Sequence, residues 1–333
     1  MTLVWHRLRD ALDRHGKAAM VTVAAARGSV PREAGARMIV NPDGTFTGTI
    51  GGGTLEWRAI ALAQAMLARA DTRGAEVRPF VLGPDMGQCC GGQVDVLFEV
   101  FAADAAKAVA DFARREAAGN FVTRGRIAAD GVDRQIDART EQPPGTATLG
   151  GTILTEGFGD DRRPLALFGA GHVGRALVMA LAPLPFSVMW IDPRPDAFPA
   201  LVPANVTVSQ PGDPIDALAK AAFGSFVLVM SHSHQLDLAL TGAALEDERF
   251  PYVGLIGSRS KRARFERRLS AAGVDRQRIA ALVCPIGIDG INSKTPAAIA
   301  AATVAELLVR DEALREASRE RDSVMMGRAG ARG

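Results

Sequence analysis

The hydrophobic positions divide the chain into two parts with different patterns. Up to residue 142, stretches with helical spacing follow short β-branched runs without a regular order. The predicted helices cover residues 3–14, 54–70 and 102–118, and the predicted strands cover 18–26, 37–40, 45–50, 77–82, 94–101, 121–127 and 132–136. Turn signals at 41–44 and 130–131 join two pairs of these strands as hairpins. This pattern predicts an α+β domain over residues 1–142.

From Leu165 onward, strands and helices alternate. The predicted strands cover residues 165–168, 187–191, 206–209, 226–230, 252–256 and 281–284. Such alternation is typical of a parallel, doubly wound, Rossmann-like sheet, which makes the fold class α/β. We place this domain at 164–320, after a linker at 143–163 that is rich in Gly, Pro, Thr and Asp. Thr295 and Pro296 predict the start of the last helix, which we expect to end near Arg319, before a disordered tail at 321–333.

The composition narrows the class of protein. The chain has 333 residues, 39 Lys and Arg, 37 Asp and Glu, and a net charge of +2, which argues against nucleic acid as the main partner. The cysteines are Cys89, Cys90 and Cys284, a number that indicates a reducing compartment rather than a disulfide framework. No signal peptide and no unbroken apolar run of membrane length is found. We therefore expect a soluble, cytoplasmic protein with no membrane partner, in which Cys284 is a core residue.

A glycine motif lies between the first predicted strand and helix of the second domain. Gly169 permits a tight turn, Gly171 lets a phosphate approach the backbone, and Gly174 lets the helix pack on the strand. Asp192, at the end of the next strand, is placed to accept hydrogen bonds from ribose hydroxyls. His172 is a bulky occupant of the phosphate position, and Arg194 leaves the choice between NAD and NADP open. A domain that keeps the turn but binds no dinucleotide is the alternative interpretation.

A second glycine run, Gly51-Gly52-Gly53, precedes a predicted helix. Its free amides at a helix N-terminus predict an anion site, suited to a phosphate. A tight turn without a ligand is the alternative, and Glu56 would then only favour the helix dipole.

The segment Gly87-Gln88-Cys89-Cys90-Gly91-Gly92 combines adjacent cysteines with flanking glycines. Adjacent thiols cannot easily point at one metal, which argues against a structural zinc site. An open glycine loop keeps thiolates reachable, and a thiolate is a soft ligand suited to molybdenum or to transient sulfur. The alternative is a pair of small buried residues.

Two further segments follow predicted strands of the second domain. His232 and His234 end a strand on the side where parallel sheets bind ligands, and they are candidates for acid–base roles or metal binding without an obvious third ligand. Residues 258–268 are basic, which fits either an anionic ligand or a solvated helix face. We favour the solvated face. No catalytic constellation and no metal site are predicted.

These motifs together resemble the XdhC/CoxI family, the xanthine dehydrogenase accessory proteins. The resemblance covers nearly the whole chain and rests on residues 48–56, 87–92, 167–174, 190–194, 231–234, 252–264 and 284–287. One departure concerns Thr54, where the CoxI-like branch tends to carry cysteine, so the chain is more similar to the xanthine dehydrogenase branch.

The resemblance implies an accessory protein that binds molybdenum cofactor, protects it, supports its sulfuration and inserts it into apo xanthine dehydrogenase or a related molybdenum hydroxylase. It implies a cysteine desulfurase and a second copy of the chain as further partners. In this reading Cys89 or Cys90 lies near the molybdenum or its sulfur, Gln88 orients the pterin, and Gly51 to Gly53 take the phosphate. The Rossmann-like half covers the cofactor or binds a nucleotide.

Two other functions remain open at this point. One is an NAD(P)-dependent oxidoreductase that uses Gly169, Gly171, Gly174 and Asp192, with His232 or His234 as the acid–base group. The other is a scaffold that docks desulfurase and dehydrogenase without holding the cofactor.

Overall fold

The structure is a computed structural model that describes residues 3–69, 74–83 and 91–330, with side chains up to residue 318. The chain divides into two compact units, residues 2–161 and 162–333. Each unit has its own hydrophobic core.

The first unit contains three helices and nine strands among its described residues. The helices are α1 (Val4–His15), α2 (Gly53–Leu67) and α3 (Ala106–Ala118), the last preceded by a 3₁₀ turn at Ala103–Ala105. The strands are β1 (Lys17–Arg27), β2 (Arg37–Val40), β3 (Phe46–Gly48), β4 (Gly74–Val81), β5 (Gln93–Ala102), β6 (Phe121–Ala128), β7 (Gly131–Ile136), β8 (Ala147–Gly150) and β9 (Ile153–Phe158). The predicted α+β character of this part is confirmed.

The larger sheet of the first unit has the order β3-β2-β1-β5-β4 and is antiparallel throughout. Its central strand β1 is buried along most of its length, because helices cover both faces. One face packs on α2 through a cluster that includes Val21, Leu55 and Phe98, and the other packs on α1 and α3 through a cluster that includes Trp5 and Met20. The apolar run of β1 is therefore longer and less alternating than that of a half-exposed strand.

The second sheet corrects the predicted domain boundary. Its order is β7-β6-β9-β8, so residues 143–163, predicted as a linker, supply two paired strands to the first unit. The division between the units falls after Asp161. The Gly and Thr content of this segment indicated a loop, but β8 is only Ala147–Gly150 and turns at once into β9, so the strands were too short for the pattern to separate them from their turns.

A buried ionic cluster lies in the core of the first unit. The Arg134 guanidinium binds both carboxylate oxygens of Glu99 through Nη1 and Nη2, at 2.7 and 2.5 Å. Its Nε donates to Glu156 at 2.6 Å, and Arg37 Nη2 donates to the other Glu156 oxygen at 3.0 Å. All four side chains are at most 5% exposed. Buried charges in this arrangement are tolerated only because each has a partner.

The second unit has a parallel five-stranded sheet with helices between the strands. The strands are β10 (Arg163–Phe168), β11 (Phe186–Ile191), β12 (Val206–Ser209), β13 (Phe226–Val229) and β14 (Tyr252–Leu255). The helices are α4 (His172–Leu181), α5 (Pro214–Ala219), α6 (His234–Glu246), α7 (Arg259–Ala271), α8 (Arg276–Ala280) and α9 (Pro296–Gly330). The order is β12-β11-β10-β13-β14, and all neighbouring strands are parallel. Strands β11 and β12 are added on one side of β10 and strands β13 and β14 on the other, so the strand order reverses between β10 and β13. The predicted Rossmann-like sheet is confirmed.

Two predicted elements of the second unit differ from the structure. Residues 281–284 do not form a strand, and only Val283 makes an isolated bridge to Gly254. Pro285 follows directly and has no N–H to extend a ladder. The last helix continues to Gly330 instead of ending near Arg319, so it includes most of the segment predicted as a disordered tail. Cys284 is buried in the core as expected, and burial raises the pKa of its thiol.

Candidate functional site

The glycine turn after β10 lies at the point where the strand order of the parallel sheet reverses. Gly169 has a φ of +118°, and a methyl group there would lie less than 3.0 Å from the Met230 carbonyl oxygen after β13. A methyl group on Gly174 would lie equally close to the Gly169 carbonyl oxygen, which Trp190 Nε1 binds at 3.1 Å. Packing alone therefore requires glycine at both positions, and neither needs a ligand to explain it.

Gly171 differs from its two neighbours in the motif. Its φ is ordinary, and a methyl group there would meet no atom within 4 Å. Gly171 caps the N-terminus of α4, whose first residue, His172, is exposed. Free amides at a helix N-terminus attract anions, so this is the one motif position whose openness suits an approaching phosphate.

Asp192 is engaged by its own chain. Its carboxylate is 1% exposed and accepts hydrogen bonds from the Ala170 amide at 2.8 Å and from Arg194 Nε and Nη2 at 2.9 and 2.7 Å. The Arg194 amide donates to it as well, at 3.0 Å. Burial raises the pKa of Asp192, but the hydrogen bonds from Arg194 and Ala170 outweigh this and lower it to about 2. A ribose hydroxyl would have to displace Arg194, so the geometry argues against the predicted ribose contact.

We expect Asp192→Asn to lower the free energy of unfolding by about 1–3 kcal/mol at neutral pH, because it weakens charged hydrogen bonds to the glycine turn. The folded-state pKa is about 2, below the value of about 3.9 in an unfolded chain. The contribution of Asp192 is therefore complete above pH 4 or so and is lost between about pH 4 and pH 2.

Urea unfolding at several pH values measures this difference. The stability gap between the parent protein and Asp192→Asn should close within that window. The exposed Asp196→Asn in the same loop is the matched control and should leave the curve unchanged. A gap that stays constant down to pH 2 would contradict the role given to the charge.

The segments that follow β13 and β14 are held together by Asp237, a residue that the sequence did not single out. Asp237 is buried and accepts hydrogen bonds from the Ser231 amide and hydroxyl at 3.0 and 2.7 Å. Lys261 Nζ donates to it at 2.7 Å and to the Ile256 carbonyl at 2.8 Å. The two predicted candidates, His232 and His234, are exposed instead. Asp237 joins Ser231 to Lys261 by these hydrogen bonds, and no local sequence pattern signals this contact.

In the first unit, the loop at 27–32, the glycine run at 51–53 and the residues that follow the cysteine pair meet at one end of the larger sheet. A methyl group on Gly51 would lie less than 3.0 Å from the Pro31 ring. A methyl group on Gly92 would be equally close to the carbonyl oxygens of Arg27 and Ser29. The loop at 27–32 therefore contacts both the Gly51 loop and the residues that follow the cysteine pair. No sequence motif identified this loop as part of a site.

The glycine run at 51–53 is occupied by a carboxylate of the same chain. Glu56 Oε2 accepts from the Ile50 amide at 3.0 Å, from the Gly52 amide at 3.3 Å and from the Thr49 hydroxyl. The Gly51 amide donates to the Thr49 hydroxyl oxygen at 3.1 Å. A phosphate here would have to displace a group of the same charge. The geometry therefore argues against the predicted phosphate site at Gly51, Gly52 and Gly53, and gives Glu56 a capping role rather than a purely electrostatic one.

Comparison with known proteins agrees with the order of these units. A family model for the XdhC and CoxI family matches residues 11–78, and one for the XdhC Rossmann domain matches residues 165–307. The chain belongs to the XdhC and CoxI family. The Escherichia coli K12 uncharacterized protein YqeB is 28% identical over 295 residues, which are 87% of this chain and 43% of YqeB. The chain thus spans less than half the length of that curated relative.

A solved structure has the XdhC fold seen here over nearly the whole chain. It is described as a xanthine dehydrogenase from Bacillus halodurans, is 21% identical, and aligns over 94% of this chain and 96% of its own with a TM-score of 0.73. At this identity the likeness concerns the fold.

The cysteine motif of this XdhC-family chain lies partly outside the described residues. Gln88, Cys89 and Cys90 are not described, whereas Gly91 and Gly92 are. Within the described ranges, no three His, Cys, Asp or Glu side chains are arranged to hold a metal ion. No helix in the same ranges is both long and apolar enough to cross a bilayer.

Proposed function

We propose that this protein is a molybdenum cofactor chaperone that holds the cofactor, supports its sulfuration and delivers it to an apo molybdenum hydroxylase such as xanthine dehydrogenase. The observation that carries the proposal is the pair of family matches, one in each unit and in the family's order. The protein then works by binding and release, so it needs no turnover of its own.

The cargo site we favour is the end of the first sheet where the three loops meet. Cys89 and Cys90 come directly before Gly91 and Gly92, and Gly92 packs on the loop at 27–32. A thiolate there is a soft ligand for molybdenum or its sulfur, and Gln88 remains our candidate for orienting the pterin. Because Glu56 occupies the Gly51 loop, Arg32, whose side chain lies beside Gly51, is the better candidate for the anionic part of the cargo.

The second unit then covers the cargo or binds a nucleotide at its glycine turn. Gly171 supports the nucleotide, because it is open where the other glycines are packed. Asp192 does not support a dinucleotide, because its carboxylate is already bound by Arg194 and Ala170. The same observation leaves the alternative of an NAD(P)-dependent oxidoreductase without a residue for the ribose. Its two acid–base candidates, His232 and His234, are exposed. A calorimetric titration with NAD and NADP tests that alternative.

Handover explains why the chain would act on a protein partner. A carrier must release its cargo only to a better site, and docking places the cargo at a high effective concentration beside that site. We therefore propose an apo hydroxylase and a cysteine desulfurase as partners, with a second copy of this chain as the expected oligomer.

We expect the protein loaded with sulfurated cofactor to activate an apo molybdenum hydroxylase faster than free cofactor does. Stoichiometric mixing under anaerobic conditions, followed by a hydroxylase assay, measures the rate. Cys89→Ala and Cys90→Ala should retain less cofactor, and the buried Cys284→Ala is the matched control for thiol loss. Activation no faster than with free cofactor, or a need for added NAD, would overturn the proposal.

A further inference from the structure

Positive charge is concentrated on two neighbouring helices of the second unit. Residues 259–278, which cover α7 and the start of α8, contain seven arginines and Lys261 but only two acidic residues, Glu266 and Asp275. The whole chain has a net charge of only +2. This segment is therefore far more positive than the rest of the molecule.

Five of these arginines have no carboxylate partner in the part of the chain that the structure describes. They are exposed, and we call them the arginine face: Arg259, Arg264, Arg267, Arg268 and Arg276. The other cations of the segment are paired, as Arg262 with Glu266 at 2.7 Å and Arg278 with Glu248 at 2.9 Å. Asp275 is used up as the N-cap of α8. The segment thus has no acidic group left to neutralise the arginine face.

The arrangement works against the stability of α7. Arg264 has Arg267 and Arg268 three and four residues later, which is the spacing at which like charges on a helix repel each other. The orientation is fixed by Phe265 and Leu269, which are buried in the core of the unit. A helix held in this way presents its arginines outward, where an external anion would relieve the repulsion.

An apolar groove adjoins the arginine face. It has a volume of about 620 Å³ and lies between α7 and α8. Ala271, Ile279 and Ala280 supply its apolar lining, and Arg267 and Arg276 line it as well. Glu266 also borders the groove, and its carboxylate is paired with Arg262. The groove therefore suits an apolar side chain with acidic neighbours.

We propose that the arginine face and this groove dock an acidic segment of a partner protein that also carries an apolar side chain. Arginine suits this role because its planar guanidinium binds carboxylates through two hydrogen bonds and is enriched at protein interfaces. Complementary charge speeds docking and selects against basic partners. The inference rests on the proposed function, which requires docking, and it names the chemistry of the docking partner.

The test uses the full chain without cargo and a fluorescent peptide composed of glutamate and leucine. We expect Arg267→Glu together with Arg276→Glu to weaken peptide binding at least about tenfold. The matched control is Arg124→Glu together with Arg126→Glu, two exposed arginines of β6, which should bind the peptide as the parent does. Because neither arginine has a carboxylate partner and Arg267→Glu removes a repulsion with Arg264, the thermal midpoint should not fall. If the midpoint does fall, the salt dependence of peptide binding to the parent protein decides instead.

Several results would overturn the proposal. One is equal peptide binding by the parent and the reversed variant, and another is a binding constant for the parent that does not depend on salt. A peptide of glutamate and serine that binds as well as the leucine peptide would remove the groove from the site. Tighter binding of a DNA duplex, or of vesicles that contain phosphatidylserine, would assign the face to a different partner. The peptide measurement needs no cargo, so its result does not depend on whether the handover assay succeeds.

Discussion

Replacing Arg134 by methionine should lower the free energy of unfolding by about 3–5 kcal/mol, because it leaves two buried carboxylates without their main partner. Arg134 is the group that joins Glu99 to Glu156, and both acids lie in the core. Burial raises the pKa of Glu99, and Arg134 opposes that rise. In the variant the opposition is gone, so the pKa of Glu99 should rise further above its unfolded value.

The sign of the pH dependence follows from that rise. A carboxyl whose folded-state pKa is raised binds more protons when folded, so acidification stabilises the folded state. The deficit of Arg134→Met should therefore become smaller as the pH falls from neutral towards about pH 5. Urea unfolding at these pH values measures it.

Two further variants separate charge pairing from size. The exposed Arg126→Met should change the free energy of unfolding by no more than about 0.5 kcal/mol. Adding Glu99→Met to Arg134→Met should recover part of the loss. Replacing both members of a buried ion pair by apolar side chains costs less unfolding free energy than leaving one charge buried without its partner. Strictly additive losses in this cycle would show that Arg134 and Glu99 are not coupled.

This cluster illustrates what the sequence could not predict. Glu156 lies in β9, inside the segment that the glycine and threonine content assigned to a linker. Its partners, Arg37 and Arg134, are distant along the chain. The pairing of β7 and β9 with β6 brings Arg134 near Glu156, and the packing of the two sheets adds Arg37 and Glu99. Hydrophobic periodicity reports which faces are buried, but it does not report which charge pairs with which. A buried ion network is therefore invisible until the fold is known.

The second unit was more predictable for a physical reason. Parallel strands covered on both faces are short continuous apolar runs, and helices of ordinary length separate them, so five of the six predicted strands are confirmed. The glycine turn was also located correctly. The roles of Asp192 and Glu56 were not predicted correctly. In the sequence, an acidic residue near free amides looks the same whether its carboxylate binds a ligand or accepts hydrogen bonds from its own backbone. That choice depends on side-chain geometry and not on residue spacing.

Alanine substitutions in the glycine motif distinguish glycines that packing requires from a glycine that a ligand could require. Gly174→Ala should cost about 3 kcal/mol of unfolding free energy, because the methyl group would displace a backbone carbonyl that Trp190 also holds. Gly169→Ala should cost more, since a left-handed φ adds strain to a similar collision. Gly171→Ala should cost no more than about 1 kcal/mol, as the loss of a glycine cap in open space.

Binding then separates the two interpretations of Gly171. If a nucleotide phosphate approaches the α4 N-terminus, Gly171→Ala should weaken its binding at least about tenfold while the protein stays folded. Calorimetric titration of parent and variant with NADP, ATP and CTP measures this, and Gly212→Ala, a second glycine whose methyl group would meet open space, is the matched control. If the parent binds none of them, the turn exists to join β10 to α4, because Gly169 and Gly174 already account for it through packing alone. The motif would then report the fold and not a ligand.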